Sequence, residues 1–414
     1  MNNKWLSAGF FSAAIILSGC NGDSLKEVFD KVEAEDNIIK LINEAMEEDQ
    51  IPGMALALVS DNKTLFAKGF GHLDANQLSK VRSDTPFWLG SISKAVMGTA
   101  IMHARDQQLL SLDTSVSETL AQAGSFTLAT PEADTLTLRH LVTHTGGIND
   151  SDYYGCAYYI HNTTYNNDTE GDIQYLVSAY TDITCSPDVP TDLGGYLQNY
   201  LAEDGVYYDP ANFTTPGEQQ YSNIGAALAG YTLELKTGLS LADYAQFNLF
   251  GPMGMSNTSW KLSDFDASRI AQPHLRSDTG QPIPLPQYNL STWPDGGLRS
   301  SVRDLAVYLR MMINQGKHNN TRIIHSDSAA LMQATLSGDH NDGHGIFWYT
   351  VTSHGRTLKG HSGSDPGVFS MMFYDPEKSL GLVLLANGDD NFPGMDGKYQ
   401  YLMEKLLDYA EDLD

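Results

Sequence analysis

Two strand-like runs stand near the start of this chain and four near its end, and the long stretch between them is patterned for helix. Residues 54–60 and 64–71 flank the polar turn Asp61-Asn62-Lys63, while 345–351, 356–359, 368–374 and 380–385 follow one another towards the other terminus. A lone two-stranded hairpin is barely stable in water, so the early pair needs the late strands as neighbours. The fold class that follows is α/β, of the α+β kind: one antiparallel sheet assembled from both termini, flanked by helices, with a mainly helical part inserted in its middle. The expected division is a discontinuous sheet domain, 35–82 and 293–414, around a helical domain, 83–292.

Helical spacing is clear in five places. Ile38, Ile39, Leu41, Ile42, Ala45 and Met46 recur on one face, and Pro52-Gly53 stops that helix. Ile92, Ala95, Val96, Met97, Ala100, Ile101 and Met102 cover most of a helix circumference, which predicts a central, buried helix. Further helices are expected over 223–235, 300–315 and 397–409. Residues 149–200 differ, being rich in Tyr, Asn, Asp, Gly and Thr with weak periodicity, and read as a loop-rich insert.

The first nineteen residues read as a secretory signal: a short start carrying Lys4, an apolar run over 6–17, then small residues. That run is too short for a membrane span of about 20 residues. Leu17-Ser18-Gly19-Cys20 resembles the bacterial lipoprotein cleavage box, in which Cys20 carries the lipid; an ordinary signal cut nearby is the alternative. Residues 20–34 then read as a lipidated, acidic tether, and the location as the bacterial cell envelope or periplasm. In an exported protein, Cys156 and Cys185 inside one segment suggest a disulfide, with two buried thiols as the other reading. With 51 acidic against 25 basic residues the formal charge is −26, and no basic stripe is visible. That excludes a nucleic-acid binder and disfavours adsorption to anionic lipid, so any membrane attachment would run through Cys20.

Three short motifs can carry chemistry. Ser91-Ile92-Ser93-Lys94 places a hydroxyl at the head of the buried helix and an amine one turn along on the same face. An amine in an apolar site loses proton affinity and can act as a base. Ser60-Asp61-Asn62-Lys63 has the same spacing but falls in a hairpin turn, so it is set aside. Tyr221-Ser222-Asn223 opens the next long helix: a phenol beside an ammonium shares proton transfer, and an amide can hold a substrate amide. Tyr165-Asn166-Asn167 repeats that pattern inside the insert, where nothing fixes its geometry. Taken singly, Tyr221 reads as a core residue. His361-Ser362-Gly363-Ser364 ends a strand, where Gly363 allows close approach of another segment and unpaired N–H groups can hold an oxyanion. Lys236-Thr237-Gly238 ends a helix instead, with Gly as the cap.

In this order the motifs resemble the serine β-lactamase and penicillin-binding-protein superfamily, in its class C and DD-peptidase branch, with S-x-x-K, Y-x-N and H-x-G. The likeness runs from Ile51 to Asn387 and includes Leu138-Arg139-His140-Leu141-Val142-Thr143-His144-Thr145-Gly146-Gly147, Phe250-Gly251-Pro252-Met253-Gly254-Met255 and Gly296-Gly297-Leu298-Arg299-Ser300-Ser301. The resemblance implies a serine hydrolase that acts through an acyl-enzyme. Ser91 is then the nucleophile, Lys94 and Tyr221 move protons, and Asn223 orients the substrate. The N–H groups of Ser91 and Ser364 form the oxyanion hole, and His361, Ser362 and Gly363 line the substrate's strand. It implies a small-molecule or peptide substrate, and neither cofactor nor metal. His361 stands where the lactamases usually place a Lys, which favours peptidase or esterase chemistry over β-lactam hydrolysis. An imidazole there is expected to titrate near pH 6.5, so carboxylate recognition through it would weaken as pH rises.

Rival readings are thinner. No G-x-S-x-G is present for a nucleophile elbow. The pairs His140/His144 and His340/His344 lack the Glu of H-E-x-x-H. A receptor that acylates without turnover uses the same motifs and stays open, as does a true class C β-lactamase.

Overall fold

The computed structural model describes residues 22–76, 78–160, 184–277, 279–338, 343–353, 355–388 and 398–414. The signal segment, Cys20, Tyr165 and His340 lie outside the described residues, as does the middle of the insert.

Six strands form one antiparallel sheet: β1 Gly53–Ser60, β2 Thr64–Gly71, β3 Tyr349–Ser353, β4 Arg356–Asp365, β5 Val368–Asp375 and β6 Leu380–Ala386. Their spatial order is β3-β4-β5-β6-β1-β2, so the termini meet where β6 pairs with β1, Met54 opposite Ala386 through Ser60 opposite Leu380. Side chains alternate across β1 with a period of two. Met54, Leu56 and Leu58 join a core beneath helices α1 Gly22–Asp49 and α5 Lys398–Leu413. Ala55, Ala57 and Val59 face a second, larger core with α2 Ile92–Asp106, α3 Asn223–Thr237 and α4 Val302–Ile313. That core passes without a break from the sheet face into the helical middle, so the two expected domains share one packed interior. Among the described residues no helix is long and apolar enough to cross a membrane.

Several elements differ from expectation. The first helix starts at Gly22 and not near Ile38, so residues 22–34 are helical where a tether was expected. Their polar composition hides the periodicity, which begins to show at the buried Ala34 and continues through Ile38, Ile42 and Ala45. The run at 345–351 becomes strand only from Tyr349, because Phe347 takes a left-handed backbone (φ 52°) and breaks the extension. Conversely β4 runs on to Asp365 and carries the whole third motif. The insert is not all loop: Leu193–Leu201 is a helix that buries Tyr196, Leu197, Tyr200 and Leu201. Tyrosines form much of its apolar face, which weakens the hydrophobic pattern. Cys156 and Cys185 are joined as a disulfide.

Candidate active site

Ser91 caps α2, yet its side chain accepts no N–H from the helix's first turn. A capping serine normally spends its oxygen there. Here the oxygen instead accepts a hydrogen bond of 3.0 Å from the Lys94 amine. The helix head is clamped from outside: the Leu89 N–H donates to the Leu298 carbonyl at 2.9 Å, and the Leu298 N–H to the Ser93 hydroxyl at 3.0 Å.

Lys94 is fully buried, but not among apolar groups. Its Nζ donates to Ser91, to Asn223 Oδ1 at 2.7 Å and to the Asp295 carbonyl at 2.9 Å. The Asp295 carboxylate lies 3.6 Å away. Burial pulls the amine's proton affinity down, but the electrostatic interactions with Tyr221 and Asp295 outweigh it and leave the pKa raised. The expectation of an amine that sheds its proton readily is therefore corrected: in the resting site Lys94 is an ammonium.

Tyr221 is brought in by pairing of two loops. The carbonyl oxygens of His144, Thr145 and Gly147 accept the N–H groups of Gln220, Gly217 and Thr214. The Tyr221 ring stacks on His144 with centroids 4.4 Å apart, and the Lys94 Nζ lies 5.1 Å from the ring centre. Its hydroxyl interacts electrostatically with both Lys94 and Ser91. Burial of the hydroxyl raises its pKa, and the Lys94 charge works against that rise. The residue itself is 37% exposed, so Tyr221 is not a core residue but borders solvent. Asn223 follows at the start of α3, whose free N–H groups are well capped. Ser222 Oγ accepts from the Gly225 N–H at 2.8 Å, and Asp150 accepts from Asn223 at 2.8 Å and Ile224 at 3.0 Å.

The third side of the site is the far half of β4. Strand β3 pairs with β4 only as far as Gly360, so residues 361–365 have a strand partner on one side alone. That edge, beyond the end of β3, abuts the helix head. A β-carbon on Gly363 would lie 2.0 Å from the Leu89 oxygen and 2.8 Å from the Ser91 nitrogen. One on Gly90, at φ 56°, would lie 3.0 Å from the Ser364 nitrogen. The backbones at Ser91 and Ser364 thus approach as closely as glycine permits. Ser362 is already engaged, its N–H donating to the Tyr349 hydroxyl at 3.1 Å and its Oγ lying 2.7 Å from that oxygen.

His361 departs from its expectation. It is buried between the Tyr349 and Tyr221 rings, 4.9 and 6.3 Å away, with Nδ1 bonded to the Ser362 carbonyl. Burial, helped by the Lys94 charge, pushes its pKa down to about 3. It does not titrate near pH 6.5, and no pH-dependent carboxylate recognition follows from it. An NMR titration, with the signal assigned by loss in His361→Gln, should show no His361 inflection between about pH 5 and 8. An inflection near 6.5 would mean the ring is solvated.

The decoys resolve as expected. Gly238 caps α3 at φ 69°, and Lys63 sits in the β1–β2 turn, bonded to the Asp414 carbonyl. His140 and His144 serve backbone: His140 Nδ1 accepts the Thr137 N–H, and His144 Nδ1 the Ser222 N–H.

Residues 38–406 match the Beta-lactamase family model. The chain belongs to the beta-lactamase family. Protein flp of Staphylococcus aureus (strain N315) is 22% identical over 86% of this chain and 63% of its own length, so the chain spans under two thirds of that relative. Penicillin-binding protein 4 of Amycolatopsis lactamdurans is 27% identical, with 82% of each chain covered. The D-amino acid amidase of Ochrobactrum anthropi SV3 shares the fold at a TM-score of 0.69, 19% identity, and coverage of 92% of this chain and 99% of its own.

Sequence reasoning brought together Ser91, Lys94, Tyr221, Asn223 and the 361–364 strand, but missed what surrounds them in this beta-lactamase-family chain. Asp295 pairs with Lys94, and Tyr154 donates to its Oδ2 at 2.6 Å. Asp365 accepts from Trp88 Nε1 at 2.9 Å and from the Tyr158 hydroxyl, and burial pushes its pKa up to about 7. Two signals were available: Asp295 directly precedes the Gly296-Gly297 pair, and Tyr154 and Tyr158 flank Cys156 at equal distance.

Proposed function

We propose that this chain is an exported serine hydrolase that turns over amides or esters of D-amino-acid type through an acyl-enzyme on Ser91. The observation that carries the reading is a hydroxyl at a helix head that is left out of capping, is bonded to a buried ammonium, and stands beside a partly exposed phenol. Once the Lys94/Tyr221 pair has released one proton to solvent, Ser91 Oγ attacks the substrate carbonyl carbon and its own proton passes to the pair. The oxyanion accepts from the N–H groups of Ser91 and Ser364, each donor worth about 3 kcal/mol. The leaving group takes the proton from the pair, and water then hydrolyses the ester to free Ser91. Asn223, whose Oδ1 serves Lys94, keeps its NH₂ for the substrate. The relatives named for penicillin binding and D-amino acid amide cleavage support a peptide or small-molecule substrate of that chemistry. The disulfide fits an oxidising compartment, and lipid attachment at Cys20 is part of the same proposal.

The penicillin-binding relative also favours a second reading, a receptor that acylates and releases slowly. Intact-mass kinetics with a penicillin, a nitrophenyl ester and a D-alanyl-D-alanine peptide separate the two. An adduct that accumulates and decays within seconds to minutes with the ester or peptide is the expected result. A stable penicillin adduct with no decay and no product selects the receptor. Rapid decay with penicillin selects a class C β-lactamase, and no adduct with any of the three removes the acyl-enzyme reading.

A further inference from the structure

We propose that Asp295, held by the Tyr154 hydroxyl, is the positioning residue of this site: the counter-ion that aims Lys94 and keeps it an ammonium before acylation. The inference rests on Ser91 being the nucleophile. It starts from a count of protons. An ammonium has three N–H donors and no acceptor, and a neutral amine has two donors and one lone pair. Three oxygens converge on the Lys94 Nζ, from Ser91, Asn223 and the Asp295 backbone, at 3.0, 2.7 and 2.9 Å. The charged form donates to all three, whereas the neutral form would donate to the two carbonyl-type oxygens and accept from the Ser91 hydroxyl, so the choice between them falls to the carboxylate 3.6 Å away.

Charge must then be compensated, because neither side chain reaches water: Lys94 is 0% and Asp295 1% exposed. Several titratable groups surround the amine. Tyr221 comes from the loop before α3. His144 and Asp150 come from the loop after Leu138–Val142, His361 and Asp365 from β4, and Asp295 from the turn that precedes Gly296. Burial holds both imidazoles neutral. Asp150 is spent on the N–H groups of α3. Asp365 is bound by Trp88 and Tyr158, and burial pushes its pKa up to about 7. Asp295 alone offers the amine both a backbone oxygen and a carboxylate oxygen, the latter at 3.6 Å. Burial raises the Asp295 pKa, and the Lys94 charge and the Tyr154 hydroxyl, which donates to that same carboxylate oxygen at 2.6 Å, work against the rise in favour of the ionised form. Tyr154 lies in the turn Asp152–Ala157, two residues from the bridged Cys156, so the insert reaches the reaction centre through a phenol and a carboxylate.

The consequence has a definite sign. Acylation requires the Lys94/Tyr221 pair to give up one proton before it can take that of Ser91. A negative charge 3.6 Å away opposes that loss and raises the pH at which it occurs. Asp295→Asn keeps the shape and the backbone carbonyl and removes only the charge. The test is the pH dependence of Ser91 labelling by an activated phosphonate ester, read as adduct mass on the Ser91 peptide of the full chain. Wild type, Asp295→Asn and Tyr154→Phe are compared. The acid limb of the Asp295→Asn profile should move down by about one to two pH units. Tyr154→Phe should move it in the same direction by less, because its carboxylate is more easily protonated. A merely structural role lowers the rate at all pH values and leaves the limb where it was. An unmoved or raised limb in a variant that still labels at Ser91 overturns the inference. If Asp295→Asn fails to fold, the Tyr154→Phe limb decides alone by the same criterion. Labelling of wild type at a peptide other than Ser91 overturns the nucleophile assignment, and that outcome is distinct from an unmoved limb.

Discussion

Ser91→Ala abolishes the covalent adduct with every acylating reagent and leaves the melting temperature within a few degrees of wild type. The side chain touches Lys94 and contributes no cap to its helix, so its loss removes the reacting oxygen without unpairing a backbone group. Loss of a nucleophile that acts as one unit with its proton carriers costs on the order of 10⁶ in rate. Residual activity would therefore lie near the uncatalysed level. Intact mass after incubation with the phosphonate reads the result directly. An adduct that persists on the variant would place the nucleophile elsewhere.

Gly363→Val is the second large effect, and it acts through backbone. The new β-carbon would start 2.0 Å from the Leu89 oxygen and 2.8 Å from the Ser91 nitrogen, distances that no side-chain rotation relieves. Strand and helix head must separate, which parts the N–H groups of Ser91 and Ser364. Misplacing one such donor costs about 10² to 10³ in rate, and both are displaced here. The acylation rate should fall by about 10³ or more. Adduct formation at a rate within tenfold of wild type would show that these N–H groups do not hold the oxyanion.

The elements that carry reacting groups were legible because each is announced locally. A helix apolar all round must be interior, so a Ser and a Lys at its head face one another inside the protein. Tyr221 and Asn223 open a periodic segment, and Gly363 marks a close approach on a strand. The sequence pattern that joins β1 to β6 also foretold how the sheet is assembled. What governs charge was hidden. Lys94 and Asp295 are 201 residues apart, and the position of Asp295 before the Gly296-Gly297 pair does not say which of 51 acidic residues meets the amine. The protonation of Lys94 was misjudged for that reason, since spacing shows the serine one turn away but not the carboxylate from another loop. His361 was misjudged for a related one: its position on the strand was readable, but not the two aromatic rings that seal it from water.

The seam between β1 and β6 also sets a timetable for biosynthesis. The serine at position 91 emerges early, but the strand that completes its surroundings ends at Asp365, and β6, which ties β4 and β5 to the first hairpin, ends at Ala386. A nascent chain that has exposed Ser91, Lys94 and Tyr221 still lacks the strand that faces them. Long-range pairing of this kind is slow to form, so reactivity should switch on only after β6 has been made and has paired with β1.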